Sequence, residues 1–163
     1  MSALAAPLAK SRSEPVLSNV ILGTFRVSNN PNEIITTVLG SCVAVCLYDL
    51  RAGIGGMNHF LLPEGKSGDL EDVVFGLHAM ELLINDMLKQ GADKRGLEAK
   101  LFGGASMIGG LSDIGERNIA FAREFLSDEN FPVISESVGG NCGRRIRFNP
   151  TTGSVMQKLV PSV

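Results

Sequence analysis

A thiol, an imidazole and a hydroxyl stand close enough along this chain to work as one device. Cys42 follows directly on Gly40-Ser41, His59 lies seventeen residues further on, and Thr36 precedes the cysteine by six. A thiolate attacks acyl carbons, a neighbouring imidazole takes the thiol's proton, and a hydroxyl can orient the ring. Attack by Cys42 would give a thioester, which water activated by His59 would release as an acid. Backbone N–H groups at the Gly40-Ser41 kink are free to face the oxyanion that develops beside Cys42. The pattern points to acyl transfer and leaves the substrate open.

Two strands must hold this pair. Residues 42–49 and 54–62 are rich in Val, Ile, Leu, Phe and Tyr, and the short stretch Leu50-Arg51-Ala52-Gly53 separates them, as in an antiparallel hairpin. A two-residue turn that pairs Asp49 with Ala52 places Cys42 directly opposite His59, with Cβ atoms roughly 4.5–5.5 Å apart. A connection that ends at Gly53 instead shifts that register.

Three other readings of the cysteines compete. A Cys42–Cys46 disulfide fails on distance, because four residues of strand span roughly 13 Å against a Cα limit of about 7 Å. A metal site on that pair fails likewise, whereas zinc held by Cys42, His59 and Cys142 is allowed by spacing but has no marked fourth ligand. The third reading makes the cysteines small core residues and His59 a satisfied core histidine, and it suits Cys46 best.

The rest of the chain supplies the frame. At 163 residues, 44% of them apolar and 20% charged, it fits one globular domain over residues 19–163 behind a flexible tail over 1–18. A net charge of −2 argues against general nucleic-acid binding. The one basic cluster, Arg144-Arg145-Ile146-Arg147, divides its arginines between the two faces of a strand, as a solvated edge or as a partner-facing or substrate-facing surface. Three cysteines without a secretion signal favour a reducing compartment, the cytoplasm, and no apolar run reaches the ~18 residues of a membrane span.

Strands are expected over 19–27, 34–39, 97–102, 131–138, 145–149 and 154–160, besides the hairpin. Leu70, Val73, Val74, Leu77, Ile84, Met87 and Leu88 recur at helical spacing, with Asp69 as a candidate N-cap and Gly91 beyond the end. A second helix is expected from about Gly115 to Ser127. His78 lies off the first helix's stripe and carries no chemistry in this reading. The polar loop 63–68 is long enough to be mobile near the site, but nothing in the sequence supports a lid there. The glycine-rich turn 103–110 lacks the ending of a phosphate loop, so its glycines suit close backbone approach around a site. This mixture gives an α+β fold, with helices covering one side of the sheet structure.

Several blocks together resemble the chemoreceptor glutamine deamidase family, CheD. They are residues 36–49, Gly55-Gly56-Met57-Asn58-His59-Phe60-Leu61-Leu62-Pro63, Ala99–Met107, Ile114–Asn118 and Gly139-Gly140-Asn141-Cys142-Gly143-Arg144. The resemblance implies a triad of Cys42, His59 and Thr36, with Thr37 as a neighbouring hydroxyl. Gly40, Ser41, Gly103, Gly104, Ser106 and Asn141 become candidates for the oxyanion site or for shaping it. It further implies a β-sandwich-like core with flanking helices, like the catalytic domains of deamidating toxins, and no cofactor or metal. The implied reaction converts glutamines on the cytoplasmic helical bundle of chemotaxis receptors to glutamate with loss of ammonia, at a shallow surface groove. The phosphatase CheC is the implied partner. A docking module with secondary or no catalysis, and a receptor glutamyl methylesterase, are the alternatives.

Overall fold

The computed structural model describes residues 13–63, 69–107 and 113–161. Its strands are β1 (Val16–Asn19), β2 (Phe25–Ser28), β3 (Glu33–Leu39), β4 (Val43–Asp49), β5 (Ile54–Asn58), β6 (Glu98–Gly103), β7 (Val133–Val138), β8 (Gly143–Phe148) and β9 (Val155–Val160). The helices are α1 (Asp69–Lys89) and α2 (Ile114–Asp128). One sheet has the order β1-β3-β8-β9 and the other β2-β5-β4-β6-β7. The α+β expectation with a sandwich-like core therefore holds.

Strand alternation decides what each layer buries. In β4, Val43, Val45 and Leu47 face the helices, with Met80, Leu83, Met87, Ala122 and Leu126 among their buried neighbours. Ala44, Cys46 and Tyr48 face the other sheet and join Ile35, Leu39, Met57, Ile146 and Phe148. Both faces of β4 are thus covered, which is why the strand is apolar throughout. β3 buries Ile35, Thr37 and Leu39 and turns Ile34, Thr36 and Val38 outward.

Three expectations need correction. The stretch 19–27 is not one strand: β1 ends at Asn19, a turn follows, and β2 begins at Phe25. β1 also starts at Val16, inside the span read as tail, because it pairs in parallel with β3 from Val16 opposite Glu33. Helix α1 buries Asp72, Gly76, Met80, Leu83, Ile84 and Met87, while Leu70, Val73, Val74, Leu77 and Leu88 are exposed. The helix is apolar on both sides, and its inward side is chosen by α2: Arg117 forms an ion pair with Asp72. A Cβ on Gly76 would meet the Phe121 ring. The polar loop 63–68, apart from Pro63, and the glycines at 109 and 110 lie outside the described residues.

The β4–β5 connection takes four residues rather than two. The buried Asp49 carboxylate accepts from the N–H groups of Arg51 (3.0 Å) and Ala52 (3.2 Å), and Gly53, at φ 65°, donates to Asp49 O at 2.9 Å. Asp49 consequently pairs with Ile54 instead of Ala52. The register moves by two positions from the expected one. A shift of two preserves which face each side chain takes, whereas a shift of one would reverse it.

Candidate active site

Beyond β5 the hairpin continues through one further bridge, Val43 opposite Phe60, whose N–H and C=O groups exchange two hydrogen bonds of 3.0 Å. Cys42 and His59 are therefore diagonal neighbours, not direct partners, and leave the ladder on the same side. That side faces the other sheet, where Cys42 packs half-buried against the inter-sheet core. Between the regular ladder and this bridge, Val45 donates to the side-chain Oδ1 of Asn58 at 3.0 Å. Asn58 itself pairs with Phe25 of β2.

His59 is 7% exposed and is fixed through one nitrogen. Its Nδ1 lies 2.9 Å from Thr37 Oγ1 and 3.2 Å from Val20 O. Thr37 Oγ1 also donates to Val20 O at 2.6 Å. A carbonyl only accepts, so the hydroxyl proton is committed to Val20 and the consistent tautomer carries its proton on Nδ1. Nε2 is then the basic nitrogen, and it is buried with no partner among the described residues. The main chain of the ring is anchored too: His59 N donates to Thr24 O at 3.1 Å, and Gly23 N to His59 O at 2.8 Å.

The hydroxyl beside His59 thus belongs to Thr37, whereas Thr36, the expected partner of the imidazole, lies elsewhere. Thr36 sits on the outward face of β3, and its Oγ1 donates to Ile146 O at 2.9 Å. Adjacent strand residues face opposite ways, so only one of the two threonines can reach between the sheets.

Burial favours the neutral form of both groups. Burial raises the Cys42 thiol pKa, and its own backbone N–H offsets this in part. Burial lowers the His59 imidazole pKa against the opposing pull of Val20 O. The thiolate–imidazolium form is disfavoured until a substrate's developing charge compensates it.

The loop bearing Cys42 is held by the loop after β6, which is held in turn by the loop after β7. Gly104 N donates to Cys42 O (2.8 Å) and Ala105 N to Gly40 O (2.9 Å), while Gly139 N and Ser106 N donate to Gly103 O and Gly140 O. Gly103 has φ 109°, and a Cβ there would stand 2.1 Å from Cys42 O, so the residue must be glycine. Buried Arg144 joins the same loops, donating to Gly139 O at 2.7 Å, Ser137 Oγ at 3.1 Å and Gly103 O at 3.4 Å. The N–H groups of Gly104 and Ser106 are spent on these contacts. Asn141 is exposed, with its Oδ1 accepting from the Cys142 thiol at 3.6 Å. Among the described residues, no three ligand-type side chains gather as a metal site would require.

One positioning residue escaped the sequence reading. Asn118 on α2 is fully buried, donates from Nδ2 to Ser41 O at 3.0 Å and accepts at Oδ1 from Leu62 N at 2.9 Å. It ties the loop before Cys42 to the segment after His59. A trans peptide points its C=O and N–H in opposite directions, so holding Ser41 O toward α2 turns the Cys42 N–H away from it. The available signal was a polar residue beside Ile119 on the helix's apolar edge.

The family model described as CheD chemotactic sensory transduction matches residues 61–159. Relatives named probable chemoreceptor glutamine deamidase CheD match over more of the chain. The protein of Caulobacter vibrioides strain NA1000 is 52% identical over 144 residues, covering 87% of this chain and 77% of its own. This chain belongs to the CheD family. The relative from Rhizobium meliloti strain 1021 is 49% identical over 148 residues, covering 89% of this chain and 81% of its own. That from Caulobacter sp. strain K31 is 51% identical over 156 residues, covering 93% and 82%. Cys42 and His59 precede the span of the family model but fall within these longer alignments. No described helix is long and apolar enough to cross a membrane.

Proposed function

We propose that this chain is a cytoplasmic amidohydrolase that converts glutamine side chains of chemotaxis receptors to glutamate, with Cys42 as nucleophile. The observation that carries the reading is the state of His59: Nδ1 is held by Thr37 and Val20 O, leaving a buried Nε2 without a partner among the described residues, on the ladder face shared with Cys42. As the Cys42 sulfur bonds to the amide carbon, His59 Nε2 takes the thiol proton and the carbonyl oxygen becomes an oxyanion facing the Cys42 N–H. The imidazolium so formed is stabilised through Nδ1–H by Thr37 Oγ1 and Val20 O. It passes its proton to the departing nitrogen, ammonia leaves, and the thioester remains. Water then gives a proton to Nε2 and its oxygen to the acyl carbon, and the returned thiol leaves a glutamate carboxyl.

A neutral resting pair suits a surface thiol, because deprotonation is delayed until an acyl group is present. The half-buried position of Gly40, Ser41 and Cys42 suits a substrate presented on a helix rather than a small molecule in a pocket. CheC is retained as a partner on the family resemblance, and co-purification of the two proteins tests it. Mass spectrometry of a receptor cytoplasmic fragment tests the activity. A glutamine-to-glutamate mass shift with the wild-type protein and none with Cys42→Ala is the expected result; an equal shift with both removes Cys42 from the mechanism.

A further inference from the structure

The outer face of the four-stranded sheet carries a basic patch that the fold does not use. No described helix covers this face. On it, Val38 pairs with Arg145 and Arg145 with Lys158, while the next outward row runs Thr36, Arg147, Met156. Arg145, Arg147 and Lys158 are all exposed, and none has an ion pair among the described residues. The only carboxylate in these four strands, Glu33, points inward to Arg26 and Ser18. Like charges directly opposite each other across two strands oppose the pairing. Arg145 opposite Lys158, with Arg147 on the same face, is therefore a local cost that no ion pair among the described residues offsets, on a chain whose net charge is −2.

We propose that this face docks an acidic helical segment of the protein substrate. Arg145 and Arg147 are two strand residues apart, roughly 6.7 Å, and carboxylates at i and i+4 of a helix are separated by a rise of about 6 Å. The exposed Met156 (73%) and Val38 (51%) supply apolar contact beside the cations. β3 runs directly from Val38, which pairs with Arg145, into Gly40-Ser41-Cys42, so at most about 14 Å of extended chain separates Val38, at the near edge of the patch, from Cys42. About 14 Å corresponds to ~9 residues of α-helix, which sets the near end of the acidic pair about three turns from the target glutamine. A polyanion is a poorer occupant, because the remainder of an acidic protein repels it while a local carboxylate pair meets only the patch. The inference rests on the proposed deamidation of a helical substrate.

The test uses full-length protein with Cys42→Ala, so that binding is read without turnover. Two labelled helical peptides carry one glutamine and either a Glu-x-x-x-Glu or a Gln-x-x-x-Gln flank two to three turns away. The acidic peptide is expected to bind about tenfold tighter, the preference shrinking with salt and vanishing in Arg145→Gln/Arg147→Gln/Lys158→Gln. Lys158→Glu is expected to raise the melting temperature by creating an opposite-charge pair with Arg145, while weakening the acidic peptide. No preference for the acidic peptide, a preference that survives the triple substitution, or loss of binding to phosphatidylglycerol vesicles alone would each overturn the proposal. In the active protein the triple substitution should raise KM for an acid-flanked substrate and leave kcat in place. Full activity of Cys42→Ala would instead defeat the deamidation mechanism, leaving the peptide preference to be judged separately.

Discussion

Replacing Thr37 by valine separates the two threonines and tests the orientation of the base. The hydroxyl makes two buried hydrogen bonds, to Val20 O at 2.6 Å and with His59 Nδ1 at 2.9 Å. At about 0.5–1.5 kcal/mol each, their loss costs about 1–3 kcal/mol of stability. For a chain of this size that lowers Tm by roughly 2–4 °C per kcal/mol. In the transition state the ring is an imidazolium, and a hydrogen bond to a charged group is worth about 1.5–3 kcal/mol, so kcat should fall roughly 10- to 150-fold. Thr37→Ser keeps the hydroxyl and should recover most of that loss. Thr36→Val removes only the bond to Ile146 O on the outward face and should leave kcat within about twofold of wild type. Saturating initial rates of glutamate formation by mass spectrometry, with melting curves on each variant, provide the readout. A dead Thr36→Val beside an active Thr37→Val would refute the assignment of the tautomer and of the orienting residue together.

Asn118→Asp keeps an acceptor for Leu62 N–H but sets a carboxylate oxygen against Ser41 O, so the Ser41–Cys42 peptide should rotate. A kcat loss of about 10- to 100-fold is expected while haloacetamide alkylation of Cys42 stays near wild type, since alkylation develops no oxyanion; parallel losses in both would place Asn118 in support of the thiol itself. Gly103→Ala drives a Cβ to 2.1 Å from Cys42 O at a positive φ and should destabilise the protein by more than ~2 kcal/mol in denaturant titration. Burial raises the Cys42 pKa, so its alkylation rate should keep climbing above pH ~8.5, and a plateau below neutrality would reveal a preformed ion pair instead. Burial lowers the His59 pKa, so on acidification the unfolded chain binds that proton first. The contribution of His59 to stability is complete above pH ~6.5 and is lost as pH falls through the folded-state value. A His59→Gln variant should flatten this part of the Tm profile.

Where the sequence was decisive, the structure needed only parity. Cys42 and His59 share a face whether Asp49 pairs with Ala52 or with Ile54, because both registers differ by two residues. The same rule fails for Thr36 and Thr37. Ile34-Ile35-Thr36-Thr37-Val38-Leu39 has no polar alternation, so nothing local shows that Ile35, Thr37 and Leu39 point inward. That choice comes from β8, which pairs β3 across more than a hundred residues and supplies Ile146 and Phe148 to the inter-sheet core. Helix α1 was ambiguous for the same reason: apolar residues on both sides let Leu70, Val73, Val74 and Leu77 pass for the core face, when Asp72 and Gly76 mark the inward one. The arginine cluster shows the limit most clearly. Alternation correctly parts Arg144 from Arg145 and Arg147, but only the β8–β9 register puts Lys158 opposite Arg145. A like-charge pair that neither strand reveals alone is created by their union, and it is this long-range pairing that turns a solvated-looking run into a surface with an unmet electrostatic demand.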